Sequence, residues 1–187
     1  MKPTIMKIAG GLVIVLGIIT GFTVITKTGA DMEKLRDNQL KEIESLVQFR
    51  DQKDSNISEA DVAWHLDHML KVINRIYDSL EKSDPEEFSW SPNPLKALVF
   101  FTGTMKRGVG KSPDTVRPPT DISTTDIEDQ IEEAKSKLMQ FDDLHEKSHF
   151  YHYAFGTLDL QDAKRFVEIH TDHHLKIIRD ILKEEAL

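Results

Sequence analysis

The chain of 187 residues contains no cysteine. That absence removes disulfides, thiolate metal sites, cysteine nucleophiles and a lipoprotein anchor together. Basic residues are in deficit, with 24 Lys and Arg against 32 Asp and Glu and a formal net charge of −8. This balance argues against nucleic acid as a partner, because phosphates demand basic patches. The alternating apolar–polar pattern of strands is missing, and so is any internal repeat. What is present is charge, at 30% of the chain, which suits amphipathic helices with solvated outer faces.

The one long apolar run lies near the start. Ile8 to Ile25 reads IAGGLVIVLGIITGFTVI without a charge. Eighteen residues at 1.5 Å each reach about 27 Å, close to the hydrocarbon core of a bilayer. The run is expected to form one N-terminal transmembrane helix. Lys2 and Lys7 precede it, and Lys27 is soon followed by Asp31 and Glu33. The bias places the N-terminus in the cytoplasm and the C-terminal domain on the extracytoplasmic side of a single-pass membrane protein. Thr28-Gly29-Ala30 resembles a signal-peptide cleavage site, so a secretory signal peptide is the alternative to an uncleaved anchor. The length of the run and Lys27 in the would-be cleavage region favour the anchor. Gly17 and Gly21 form a GxxxG pair, a spacing that permits a homodimer, although glycine is common in such segments anyway. The chain therefore divides into a membrane segment, 1–30, and one helical domain, 31–187.

Within that domain the apolar spacing is helical almost throughout. A first helix is expected from Asp31 to about Gln52. A second follows a cap-like Asn56-Ile57-Ser58-Glu59 and runs to Lys82, with Ser58 and Asp61 as a capping box. A short helix, Pro92 to Lys106, carries Leu95, Leu98, Val99, Phe100 and Phe101. Gly108 to Thr125 reads as a loop, Asp126 to about Glu146 as a helix, and His149 to Leu158 as an aromatic connector. The last helix spans Asp159 to about Glu184. Four long helices and one short insertion make an all-α, up-and-down four-helix bundle.

Histidine carries the candidate chemistry. With about 100° per residue counted from Ala163, the residues Phe166, Val167, His170, His174, Ile177, Ile178 and Ile181 share one stripe of the last helix. His170 and His174 thus stand one turn apart among core residues, and two such imidazoles can bind one metal ion. HxxxH alone is a weak signal, since buried histidines are also satisfied by one another or by carboxylates. No Glu follows His170, which excludes the H-E-x-x-H zinc-protease helix. The second helix offers the third imidazole in Trp64-His65-Leu66-Asp67-His68-Met69. Three imidazoles with an open position form a common catalytic arrangement for zinc and similar ions. On spacing alone His65 lies nearer the apolar stripe of Val62, Leu66 and Met69 than His68 does. Asp67, Asp172 and Glu168 are candidates to orient the rings. His173 falls at the stripe's edge, His152 can line the cleft, and His145 and His149 read as a solvated pair. Gly108-Val109-Gly110-Lys111-Ser112 only imitates a phosphate loop, because Met105 stands where the first glycine belongs.

H-L-x-H on the second helix and H-x-x-H-H-L near the C-terminus resemble the DinB/YfiT-like superfamily. His149 to Leu158 is similar to an uncharacterised branch that has H-P-x-F-G-x-L before its last helix. The resemblance covers roughly Asp31 to Leu187. Tyr153 departs from it where that branch has proline, as does Ala163 where it has tryptophan. It implies a four-helix bundle whose His68, His170 and His174 bind a divalent metal ion, Zn, Ni or Mn. It also implies a metal-dependent transferase, using thiol chemistry, or a hydrolase acting on an unidentified small-molecule substrate. The membrane segment, which includes residues 8–25, sets the chain apart from the cytosolic thiol transferases of the superfamily. The competing expectation is a non-enzymatic membrane-anchored interaction domain with structural histidines.

Overall fold

Helices carry most of the computed structural model, which describes residues 35–108 and 110–183. The apolar run at 8–25, the cleavage-like Thr28-Gly29-Ala30 and the GxxxG pair lie outside the described residues. Among those described, no helix is long and apolar enough to cross a membrane.

The first helical stretch is composite. A π turn, Leu35–Gln39, runs into α1, Leu40–Leu46, and closes in a 3-10 turn, Val47–Phe49. Leu35, Leu40, Ile43 and Leu46 point inward. The next helix, α2, spans Val62–Lys82. Its cap is Asp61, whose carboxylate accepts from the Trp64 amide at 2.8 Å. This corrects the expected Ser58 start: Ser58 lies outside the helix and spends its hydroxyl elsewhere. Then α3, Pro94–Thr102, is capped by Asn93 and opened by Pro94, whose missing N–H would be unpaired there anyway. Gly103, at φ +63°, ends it in the left-handed region. α4, Thr124–Gln140, starts from a full capping box in which Ser123 and Asp126 exchange bonds. α5, Leu160–Leu182, is capped by Asp159 and stops at Lys183.

The all-α expectation also fails at one point. The connector before the last helix is a β-hairpin, in which β1, His149–His152, pairs antiparallel with β2, Gly156–Asp159. His149 faces Asp159, and His152 faces Gly156 across the turn. Four-residue strands give the alternation rule too few positions to register.

Packing makes the domain bundle-like. α2 lies against both α4 and α5, α1 rests on α4, and the π turn touches α5. Leu66, Met69, Leu70 and Ile73 of α2 meet Ile127, Ile131, Ala134 and Leu138 of α4 and Leu175 and Ile178 of α5 in one core. Each of the larger aliphatic side chains contributes about 1.5–3 kcal/mol by leaving water. The inward face of α2 is thereby fixed rigidly against α5, and the histidines of both helices lie along that contact.

Candidate metal centre

His68 from α2 and His170 and His174 from α5 converge. One ring nitrogen of each lies within 4.8 Å of the others, and all three side chains are buried. It is the one such group of three metal-binding side chains among the described residues. Ring centroids are 5.1 Å apart for His68 and His170, 4.9 Å for His68 and His174, and 4.6 Å for His170 and His174. Nitrogens bound tetrahedrally to zinc sit roughly 3.3 Å apart, given bonds of about 2.0–2.1 Å. Small side-chain rotations close that difference.

Each ring has a distinct environment. The Nδ1–H of His68 donates to the Val116 carbonyl at 2.8 Å, with the Ser112 hydroxyl at 3.4 Å. A backbone acceptor fixes the tautomer and leaves Nε2 as the unprotonated nitrogen, the arrangement usual for a ligating histidine. Trp64 stacks on the same ring at 5.0 Å and 26°. His174 meets His65 through their Nδ1 atoms at 2.9 Å, and His65 Nε2 reaches the Ser58 hydroxyl at 3.0 Å. His170 is different: its Nδ1 is buried and has no hydrogen-bond partner.

Burial dominates the electrostatics. It pushes His65 down to about 4 and holds His68 below the usual imidazole range, with His170 and His174 well below it. Mutual repulsion among the rings lowers His65, His170 and His174 further. At neutral pH these imidazoles are uncharged, so their lone pairs are available to a cation without first losing a proton. An unpartnered buried nitrogen on His170, a fixed tautomer on His68 and a neutral all-nitrogen donor set fit a divalent metal ion.

The other candidates are distributed as follows. His65 is buried but touches His174 instead of completing the triad. Both rings face the contact, and only His68 has its ring nitrogen among the three. His152, at the end of β1, accepts from the Ala154 and Phe155 amides through Nδ1 and stacks on Phe155 at 4.6 Å. Burial lowers it to about 4. His173 is half-buried and donates to the Met105 carbonyl. His145 and His149 each bond the Lys147 backbone and form no pair. Gly108 to Ser112 lies in an irregular loop after α3, without a preceding strand.

The expected carboxylate orienters are occupied elsewhere. Asp67 pairs with Lys71 at 2.7 Å and accepts from Gln130 at 2.8 Å, Asp172 pairs with Lys176 at 2.7 Å, and Glu168 binds Arg165. Their role falls to the Val116 carbonyl and to His65. Neither was visible in the spacing. Val116 lies in a 3-10 turn, Asp114–Val116, 48 residues beyond His68 in a stretch read simply as loop. Ser58, expected to cap a helix, supports His65 instead.

Compared with known proteins, the chain matches no family model, no curated protein and no solved structure.

Proposed function

We propose that the protein is a membrane-tethered, DinB-like helical bundle that binds one divalent metal ion through His68, His170 and His174. The observation that carries this reading is the meeting of three buried, neutral imidazoles from two helices, one with its tautomer set by a backbone carbonyl. The up-and-down topology, the transmembrane helix at 8–25 and the extracytoplasmic placement of the domain belong to the same proposal. A donor set made only of imidazoles favours Zn or Ni over Mn, which prefers oxygen.

The protein's own residues divide the work. His68 presents Nε2 while Val116 holds its other nitrogen. His174 presents Nε2 when its Nδ1–H donates to His65, which then donates through its own Nε2 to Ser58. Ser58 is held in turn by the Ala60 amide at 3.1 Å. Trp64 stacks on His68 and Phe166 lies against His170. A divalent ion held by these imidazoles would act as a Lewis acid and lower the pKa of a water or thiol, so that a nucleophile would be available near neutral pH. The reaction class that follows is transfer to, or hydrolysis of, an electrophilic small molecule.

Metal analysis of the full chain purified in detergent tests the proposal. A stoichiometric divalent ion that disappears in His170→Ala and His174→Ala is expected. Absence of binding by the unaltered chain, after loading with Zn²⁺, Ni²⁺ or Mn²⁺, refutes it and leaves a structural histidine cluster in an interaction domain.

A further inference from the structure

The helix α3 packs Val99 and Phe100 against the core but turns its other large apolar residues outward. Its buried residue is Lys96, whose ammonium pairs with Asp162 at 2.6 Å. Its outer residues are Leu95, Leu98 and Phe101, which are 50%, 60% and 78% exposed. Spaced by three, these side chains line one face of the helix. Trp90, 65% exposed, stands just before it. The patch continues onto the hairpin, because the Asn93 amide donates to the Ala154 carbonyl at 3.0 Å, beside the exposed Tyr153. Exposed apolar side chains gathered on one short element, with Trp and Tyr nearby in the fold, mark an interaction site.

Charge narrows the choice of partner. In a chain with an excess of acids, the stretch from Phe88 to Pro113 has no Asp or Glu and four cations, Lys96, Lys106, Arg107 and Lys111. Lys96 is turned inward and Arg107 pairs with Asp180, while Lys106 and Lys111 are exposed. Aliphatic and aromatic side chains on a stretch that carries exposed lysines and no carboxylate of its own suit the boundary of an anionic bilayer.

The position of the tether agrees. Where the described residues begin, Arg36 pairs with Asp142, which also takes Lys164 of α5, and Gln39 donates to the Glu168 carbonyl. α3 rests on that same half of α5, through Asp162 and through Arg165, which donates to the Phe100 carbonyl. Leu35, the first residue of the π turn, lies ten positions after Ile25. That length reaches at most about 35 Å when extended. The opposite end of α5 lies by the loop around Ile57, where Lys183 approaches Asp54 at 4.0 Å.

We propose that the outer face of α3, Leu95, Leu98 and Phe101 with Trp90 and Tyr153, lies in the interface of the phospholipid bilayer that holds the apolar segment 8–25. It rests on the tether reading, and the experiment separates the two. The cysteine-free chain permits single labels at will. Full-length Leu98→Cys, Ile57→Cys and Val15→Cys each carry an environment-sensitive fluorophore in phosphatidylcholine–phosphatidylglycerol vesicles, with brominated lipid and aqueous iodide as quenchers. The expected result is a blue-shifted Leu98 label quenched by bromolipid and protected from iodide, an Ile57 label quenched by iodide, and a Val15 label quenched by bromolipid alone. A Leu98 label as open to iodide as Ile57, with Val15 in lipid, overturns the α3 contact and spares the tether. A Leu98 label shielded from both quenchers in proportion to protein density overturns it in favour of a second copy. A Val15 label left in water overturns the tether, and the contact with it.

Discussion

Removing His65 should separate holding a ligand from being one. In His65→Ala, His174 Nδ1 loses its partner at 2.9 Å, and the Ser58 hydroxyl loses the ring that it supports. Outer hydrogen-bond partners of ligating histidines are worth about 10–100-fold in metal affinity. That range is roughly 1.4–2.7 kcal/mol at 1.36 kcal/mol per factor of ten. The metal-free protein also suffers, since a buried ring left short of one hydrogen bond costs about 1–3 kcal/mol. The assay is a competition titration of Zn²⁺ against a chromophoric chelator, with His68→Ala and His174→Ala in parallel. The ligand variants should lose the stoichiometric site, while His65→Ala should keep it at reduced affinity. Wild-type affinity in a folded His65→Ala refutes the positioning role. Complete loss, equal to that of His174→Ala, refutes the assignment of His68 over His65.

Three further outcomes follow from individual contacts. His170→Leu removes a buried nitrogen without a partner, so the metal-free form should gain about 1 kcal/mol, or roughly 2–4 °C in Tm. The same change abolishes metal binding, and a lower Tm measured in chelator contradicts the account. Stability of the metal-free protein should be complete above pH 6.5 and decline as pH falls toward 4, because the unfolded chain then binds protons that the buried rings refuse. His65, lowered to about 4, alone accounts for about 3 kcal/mol of that loss; urea midpoints that do not fall across this window would show the rings to be charged or open to water. Gly103→Ala should cost about 1–2 kcal/mol in denaturant unfolding, since the residue sits at φ +63° and a Cβ there comes to 3.2 Å from Arg165. Gly110→Ala, whose Cβ meets only the Tyr153 hydroxyl at 3.6 Å, is the near-neutral control.

Legibility in the sequence follows the range of the interactions. The stripe on α5 is a local property of one helix, and it placed His170 and His174 side by side on the buried face. The starts of α4 and α5, expected at Asp126 and Asp159, fall within two residues of Thr124 and Leu160, because N-caps are also local, whereas the end expected near Glu146 overshoots Gln140. His65 and His68 could not be separated by spacing. Both are buried, and which one faces His170 depends on how α2 rotates against α5. The Val116 acceptor comes from a turn far along the chain and has no side-chain signature at all. Ser58 misleads for a related reason, since a hydroxyl three residues before Asp61 looks like a cap until His65 claims it. α3 was legible as a short apolar helix, but not which of its residues face in: its lysine is inside and its leucines are outside.

The bond from His68 to Val116 has an awkward consequence for genetics. The acceptor is a main-chain oxygen, which every amino acid carries, so a scan of substitutions at position 116 changes a valine side chain and leaves the hydrogen bond in place. The dependence becomes measurable only when the turn itself moves, as when residues are deleted between Ser112 and Pro118. Chemical synthesis that swaps the amide after Val116 for an ester would weaken the same oxygen while preserving every side chain. Mutational tolerance along that loop would therefore conceal a constraint written in its length and path.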